Sequence, residues 1–204
     1  MCYHVRMLPP DALDPTTLRT RLRGQLDPAG SDGPAWAATA LVVGDGRHGP
    51  SVCFIHRADR AGDRWSGHMA LPGGRRDPED PDLAATARRE AQEEVGLHLP
   101  DPLGRLDDVG SGPGRRRQVA SFVFCLDDQP PLRPDPNEVQ AALWIPLRDL
   151  LAPQAATRHQ WSGLVGFPGI RHGERVIWGL THRILTTFVG HLDLELPQPL
   201  PEQR

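Results

Sequence analysis

The sequence predicts an α/β fold in which helices cover both faces of a mixed β-sheet. Two observations carry this. Short apolar runs of strand length alternate with turn-rich stretches through most of the chain. Among them stand one long middle helix and one C-terminal helix, each with apolar residues at helical spacing. A length of 204 residues suits one domain, expected over residues 35–192. It follows a leader, residues 1–34, and precedes a tail, residues 193–204, whose Pro-rich composition predicts disorder.

In the leader, Leu13, Leu18, Leu22 and Leu26 fit a short helix after Pro15. Because no candidate ligand lies there, a chain starting near Ala35 is expected to keep its chemistry. Trp36 to Val43 and Ser51 to Arg57 read as a hairpin across the turn-rich Gly44 to Pro50. Leu103 to Val109, Gln118 to Leu126 and Glu138 to Leu147 are further strands, the last with Trp144 expected to be buried, and Leu147 to Leu151 is a short helical turn. Leu164 to Ile170 and Arg175 to Trp178 pair across residues 171–174. The final helix runs from Trp178 to Val189 with Trp178, Thr181, Leu185 and Phe188 on one core-facing stripe.

The stretch from Leu71 to Leu97 organises the rest. Leu71-Pro72-Gly73-Gly74 is a turn. Asp80 is expected to cap the following helix with Pro81 at its first position, and Gly96 to end it. Leu83, Ala84, Ala87, Ala91 and Val95 form the apolar face. The other face gathers Glu90, Glu93 and Glu94. Like charges at this spacing repel by about 0.2–0.5 kcal/mol per pair, and anions near a helix C-terminus oppose its dipole by about 0.3–1 kcal/mol each. Arg89 cannot neutralise three carboxylates alone. A divalent cation can, and hard oxygen donors beside a Gly-rich turn suit Mg²⁺ or Mn²⁺. The alternative is a solvated acidic face.

This segment resembles the signature of the Nudix hydrolases, G-x5-E-x7-R-E-U-x-E-E-x-G-U with U aliphatic. Arg89-Glu90-Ala91-Gln92-Glu93-Glu94-Val95-Gly96-Leu97 matches the second half. In the first half Asp80 stands at the acidic place after Gly74, and the gap to Arg89 is one residue longer. This longer form, with Thr86-Ala87-Arg88-Arg89-Glu90, is similar to the coenzyme A pyrophosphatase-like branch. The resemblance implies a Nudix-type α/β/α sandwich that hydrolyses a diphosphate linkage. It implies metals held by Glu90, Glu93, Glu94 and the Gly74 carbonyl, Arg89 orienting the acids, and Glu90 or Glu138 as general base. For coenzyme A, the products would be 3′,5′-ADP and 4′-phosphopantetheine. The branch motif L-L-T-x-R-[SA]-x3-R-x3-G-x3-F-P-G-G is met by Arg57-Ala58 and by Gly67-x3-Leu71-Pro72-Gly73-Gly74. The interval between these parts is one residue longer, and Gly62 stands where the second Arg belongs, with Arg60 and Arg64 beside it. Another nucleoside diphosphate derivative or a nucleoside triphosphate therefore stays open as substrate, as does a non-catalytic Nudix-fold binding module.

Further substrate contacts are expected from arginines. Arg57, at a strand end, is either a phosphate clamp or a solvated terminus. Arg115, Arg116 and Arg117 either meet an extra phosphate, such as the 3′-phosphate of coenzyme A, or form a solvated loop. His68 is read as structural or substrate-shaping rather than as a metal ligand.

Composition bounds the partners. All 23 basic residues are Arg and the net charge is −3, which argues against nonspecific nucleic-acid binding. Cys2, Cys53 and Cys125 are scattered and show no zinc-site spacing. No apolar run is long enough for a membrane span, and the N-terminus lacks a signal-peptide core, so the expected compartment is the cytoplasm and no membrane partner is expected. A small-molecule diphosphate is the expected partner, with a homodimer left open.

Overall fold

The computed structural model describes residues 14–27, 35–59, 62, 65–111, 117–160 and 166–200. Helix α1 (Pro15–Gln25) is followed by β1 (Ala37–Gly44), β2 (Ser51–Arg57), β3 (Met69–Ala70), β4 (Gly73–Arg75) and helix α2 (Leu83–Val95). Then come β5 (Gly104–Ser111), β6 (Arg117–Leu126), β7 (Val139–Pro146), α3 (Leu147–Leu150), β8 (Ala156–His159), β9 (Phe167–His172), β10 (Arg175–Trp178) and α4 (Gly179–Gly190). Seven strands form one sheet with the path β3-β2-β1-β6-β5, in which β4 also pairs with β1 and β7 with β2. The parallel β1–β6 pair makes it mixed. Strands β8, β9 and β10 form a second, antiparallel sheet.

Alternation along β1 divides the interior into two cores. Side chains of a strand point to opposite faces by turns, so Ala38, Ala40 and Val42 face α2 residues Leu83, Ala87, Ala91 and Val95. Leu41 and Val43 face the other way, into a cluster with Leu185 and Phe188 of α4. The small residues at 38 and 40 let α2 approach the sheet closely, as the alanines on the helix do from its side. The result is the expected α/β/α sandwich with a mixed sheet.

Most expected elements appear, with informative differences. The β1–β2 hairpin pairs only at its turn end, Val43 with Val52 and Gly44 with Ser51. On its other edge β1 pairs with β6 along its whole length, its start pairs with β4, and β2 pairs with β7 from Ser51 to Arg57. Trp144 is only half-buried, because its indole N–H donates to the Pro130 carbonyl at 3.2 Å near the surface. The leader helix is not held apart from the domain: Leu18, Leu22 and Leu26 lie in the same core cluster as α4. The expected disorder of the tail does not hold for residues 193–200, since Leu196 is buried in that cluster too. An apolar side chain every few residues is enough to dock such a segment even when prolines forbid a helix. No helix among the described residues is long and apolar enough to cross a membrane.

Candidate active site

The start of α2 differs from the sequence expectation. Asp82, not Asp80, caps the helix, accepting from the Ala85 N–H at 2.7 Å, and Pro81 lies outside the helix. Asp80 has other partners. Its carboxylate accepts from the Asp77 N–H at 3.0 Å and the Thr86 hydroxyl at 2.9 Å, and Arg89 reaches it with Nε and Nη2, both at 3.1 Å. Burial works to raise the Asp80 pKa, but the hydrogen bonds from Arg89, the Asp77 N–H and Thr86, with the Arg89 charge, outweigh it and hold the carboxyl below its ordinary value. The acid is thus a fixed anion that anchors a guanidinium.

Arg89 spends its remaining donors on the cluster. Nη1 donates to Glu90 Oε1 at 2.9 Å and to Glu93 Oε2 at 2.8 Å, and Nη2 donates to the Arg75 carbonyl at 3.0 Å. One planar fork thereby ties the helix to β4 and sets the rotamers of two glutamates. The hydrogen bond that it donates to Asp80 is the main cause that keeps the guanidinium more firmly protonated than usual.

Glu94 is only 3% exposed, which the reading of a solvated acidic face does not allow. The Gly73 N–H donates to its Oε2 at 2.8 Å. Burial is the main cause that pushes its pKa up to about 8; Glu90 and Glu138 add repulsion, while the Gly73 N–H and the Arg57 charge oppose it. Glu90 is raised as well, first by burial and then by Glu93 and Glu138, with Arg89 pulling the other way. Cys53, buried beneath α2, has its thiol pushed up to about 12 by burial and by Glu94, so it is inert as a nucleophile.

The glycines explain why the turn must be Gly-Gly. Strand β4 lies antiparallel to β1, with Gly73 opposite Thr39 and Gly74 opposite Ala38. A Cβ on Gly73 would stand 2.5 Å from the Ala38 carbonyl oxygen, and one on Gly74 would stand 2.5 Å from the Glu90 carboxyl carbon. Only glycine admits both the neighbouring strand and the acid.

Two further expected groups, Arg57 and Glu138, act on these acids from other elements. Arg57 ends β2 and acts electrostatically on Glu94. The Glu138 carbonyl accepts from the Ala58 N–H at 2.9 Å, and its charge is felt by both Glu90 and Glu94. The loop carrying Glu138 is tied to the end of α2 by the Arg133 N–H to the Val95 carbonyl at 2.9 Å and the Asp135 N–H to the Glu94 carbonyl at 3.1 Å. Arg115 and Arg116 lie outside the described residues. Arg117 opens β6, whose start lies beside that of β1, at the end of the sheet where β4 also pairs. His68, just before β3, lies against Trp178 of β10 with ring centroids 4.8 Å apart.

Among the described residues no group of three or more His, Cys, Asp or Glu side chains is arranged to hold a metal ion. Arg89 and the Gly73 N–H hold part of the oxygen set. The donors present are nonetheless all hard oxygens, with buried Glu94 and half-buried Glu90 both driven up in pKa, and this chemistry fits a cation that shares its shell with water and substrate.

Sequence reasoning did not foresee the Asp80 network, the Gly73–Glu94 bond or the contact of His68 with Trp178. The acidic place in the motif after Gly74 was the one signal for Asp80.

Comparison with known proteins agrees with this geometry. The NUDIX domain family model matches residues 33–163. Over 167 residues the chain is 34% identical to the human protein named mitochondrial coenzyme A diphosphatase NUDT8, covering 78% of this chain and 70% of that one. Its mouse counterpart is 33% identical, covering 81% and 80%. An uncharacterized fission yeast protein, C14C4.10c, is 45% identical over 119 residues, 54% of this chain but only 36% of the relative. The fold is similar to that of a MutT/nudix family protein from Enterococcus faecalis, with a TM-score of 0.53 and 16% identity over 79% of this chain and 63% of that one. With the acids of α2 gathered against a Gly-Gly strand and the family model spanning most of the domain, the chain belongs to the Nudix hydrolases, enzymes that cleave diphosphate linkages.

Proposed function

We propose that the chain is a metal-dependent pyrophosphatase of coenzyme A or its derivatives, yielding 3′,5′-ADP and 4′-phosphopantetheine. The observation that carries the reading is Glu94. A carboxylate this buried is costly to ionise, and one N–H bond and a nearby Arg57 leave its pKa at about 8. A bound cation would offset that cost. The substrate half of the reading is supported by the 34% identity to a coenzyme A diphosphatase over most of both chains.

Glu90, Glu93, Glu94 and the Gly74 carbonyl would hold Mg²⁺ or Mn²⁺, which when bound neutralises phosphate charge and acidifies water. The chain's own groups do the positioning. Arg89 fixes Glu90 and Glu93, and the Gly73 N–H fixes Glu94 through Oε2. Glu90 is committed to Arg89 and pressed against Gly74, which favours Glu138 as the base that takes the proton from the attacking water. That water adds its oxygen to one phosphorus as the P–O–P bond breaks, and the other phosphate leaves with its bridging oxygen. Arg57, beside Glu94, is placed to receive phosphate charge.

The second reading is another nucleoside diphosphate derivative, favoured by Gly62 at the place of the second motif arginine. A panel of coenzyme A, dinucleotides, nucleotide sugars and nucleoside triphosphates, assayed with Mg²⁺ and with Mn²⁺, tests both. Coenzyme A should give the highest kcat/KM, and a higher value for another diphosphate would replace the first reading by the second.

A further inference from the structure

Thr86, Glu90 and Glu94 form one row along α2, each four residues after the last. Thr86 is fully buried, and helix stability does not ask for a threonine there. Its β-branched side chain is a weaker helix former than alanine, and a buried hydroxyl costs free energy unless it is hydrogen-bonded. That hydroxyl has one proton and two acceptors within reach. One is the Asp82 carbonyl at 3.3 Å, the partner four residues back that a helix threonine ordinarily takes; the other is Asp80 Oδ2 at 2.9 Å. The carboxylate is nearer and charged, so the proton goes to Asp80.

Asp80 lies outside the helix, in the loop between β4 and α2. Arg76 holds its main chain, with Nη2 donating to the Pro81 carbonyl at 2.7 Å and to the Asp80 carbonyl at 3.2 Å. The loop gives its side chain one donor, the Asp77 N–H at 3.0 Å from Oδ2. Thr86 adds a donor from α2 itself, three residues before Arg89, so carboxylate and guanidinium are both referred to one rigid helix. With Oδ2 pinned, Oδ1 meets Arg89 Nε at 3.1 Å while Nη2 shares Oδ2 at 3.1 Å. This two-point pairing turns the guanidinium so that Nη1 reaches Glu90 and Glu93. Aspartate at this place is one methylene shorter than the glutamate of the family signature, so its reach toward Arg89 depends more on what holds it.

We propose that Thr86 is a positioning residue for the hydrolysis: its hydroxyl fixes Asp80 against α2 and, through Asp80 and Arg89, sets the carboxylates of Glu90 and Glu93. The proposal rests on the reading of those acids as metal ligands. Thr86 itself touches neither metal nor substrate.

The test compares Thr86→Val, which keeps the shape and removes the hydroxyl, with Thr86→Ser, which restores it, both in the full chain. Three quantities are read: Mn²⁺ affinity by electron paramagnetic resonance without substrate, kcat and KM on the diphosphate of the panel that the wild type hydrolyses best, and solvent exchange of the Arg89 Nε proton by NMR without metal. Thr86→Val should weaken Mn²⁺ binding and lower kcat by about tenfold each, the lower end of what loss of a group that orients a metal ligand costs. KM should stay nearly unchanged, and exchange at Arg89 should become faster. Thr86→Ser should return all of these close to wild type. In an Asp80→Asn background Thr86→Val should change neither kcat nor Mn²⁺ affinity further, because the hydroxyl acts only through the carboxylate. A separate loss in that background marks a packing role and overturns the proposal. Wild-type Mn²⁺ affinity and kcat in Thr86→Val overturn it too, as does a loss that Thr86→Ser does not recover. If Thr86→Val does not fold, Thr86→Ala, a better helix former, takes its place with the same expectations. A wild type that neither binds Mn²⁺ nor hydrolyses any diphosphate would reject the metal reading; faster exchange at Arg89 in the variant would then still support the hold on Asp80, and unchanged exchange would reject that as well.

Discussion

The carboxyl group of Glu90 lies where a side chain at position 74 would begin, with its carboxyl carbon 2.5 Å from the place of a Cβ on Gly74. Gly74→Ala is therefore expected to push the acid aside. Because the displaced group is the end of a flexible side chain, the fold should survive with Tm nearly unchanged. A displacement near 1 Å in a catalytic constellation costs about 100-fold, so kcat should fall by that order while circular dichroism stays native.

Glu93→Gln and Glu94→Gln should each lower metal-dependent turnover by more than the roughly 10- to 100-fold that loss of an outer-shell partner costs. Removing the buried charge of Glu94 should leave the metal-free protein at least as stable as the wild type. Near-wild-type turnover in either variant, measured with saturating Mg²⁺, would remove the metal-site assignment.

Asp80→Asn tests the support of Arg89. The pair is well buried on the Asp80 side, and breaking such a pair costs on the order of 3 kcal/mol. Thermal denaturation should register that loss, and kcat should fall because Glu90 and Glu93 lose their common anchor.

Glu94 also sets a pH dependence. Its folded pKa is raised to about 8 from an ordinary 4.5, so between these values the folded state binds more protons than the unfolded one. The stabilisation is complete below about pH 4.5 and is lost as pH rises through about 8. Metal-free protein should thus lose Tm across this window, and Glu94→Gln should flatten the loss. A wild-type Tm that rises from pH 5 to 8, with no difference from the variant, would contradict the assignment.

The leader helix supplies a stability prediction. Leu22 is fully buried in the core shared with α4, so Leu22→Ala should cost about 2–5 kcal/mol while the folded fraction keeps its kcat. A chain beginning at Ala35 loses Leu18, Leu22 and Leu26 together and should be too unstable to purify in folded form, contrary to what the sequence led us to expect. Denaturant titration of both variants decides this.

Strands and helices with a clean period were legible in the sequence, because one buried face dictates the spacing. The α2 stripe of Leu83, Ala87, Ala91 and Val95 is the best case. Which acids would gather was also legible, since three glutamates repelling one another on a short helix need a reason. Partners distant in sequence were not. Periodicity cannot reveal that β1 pairs parallel with β6, that Glu94 is buried by β4, or that His159 and Trp178 meet His68. The cap was misplaced for a related reason: Asp80 and Asp82 are equivalent as local capping residues, and only the tertiary contact of Asp80 with Arg89 breaks the tie.

Product analysis of coenzyme A incubated with the full chain and Mg²⁺ tests the proposed reaction most directly. Equimolar 3′,5′-ADP and 4′-phosphopantetheine should form, stop on chelation of the metal, and be absent with Glu94→Gln. No cleavage of coenzyme A under conditions where a dinucleotide or nucleotide sugar is hydrolysed efficiently would contradict it.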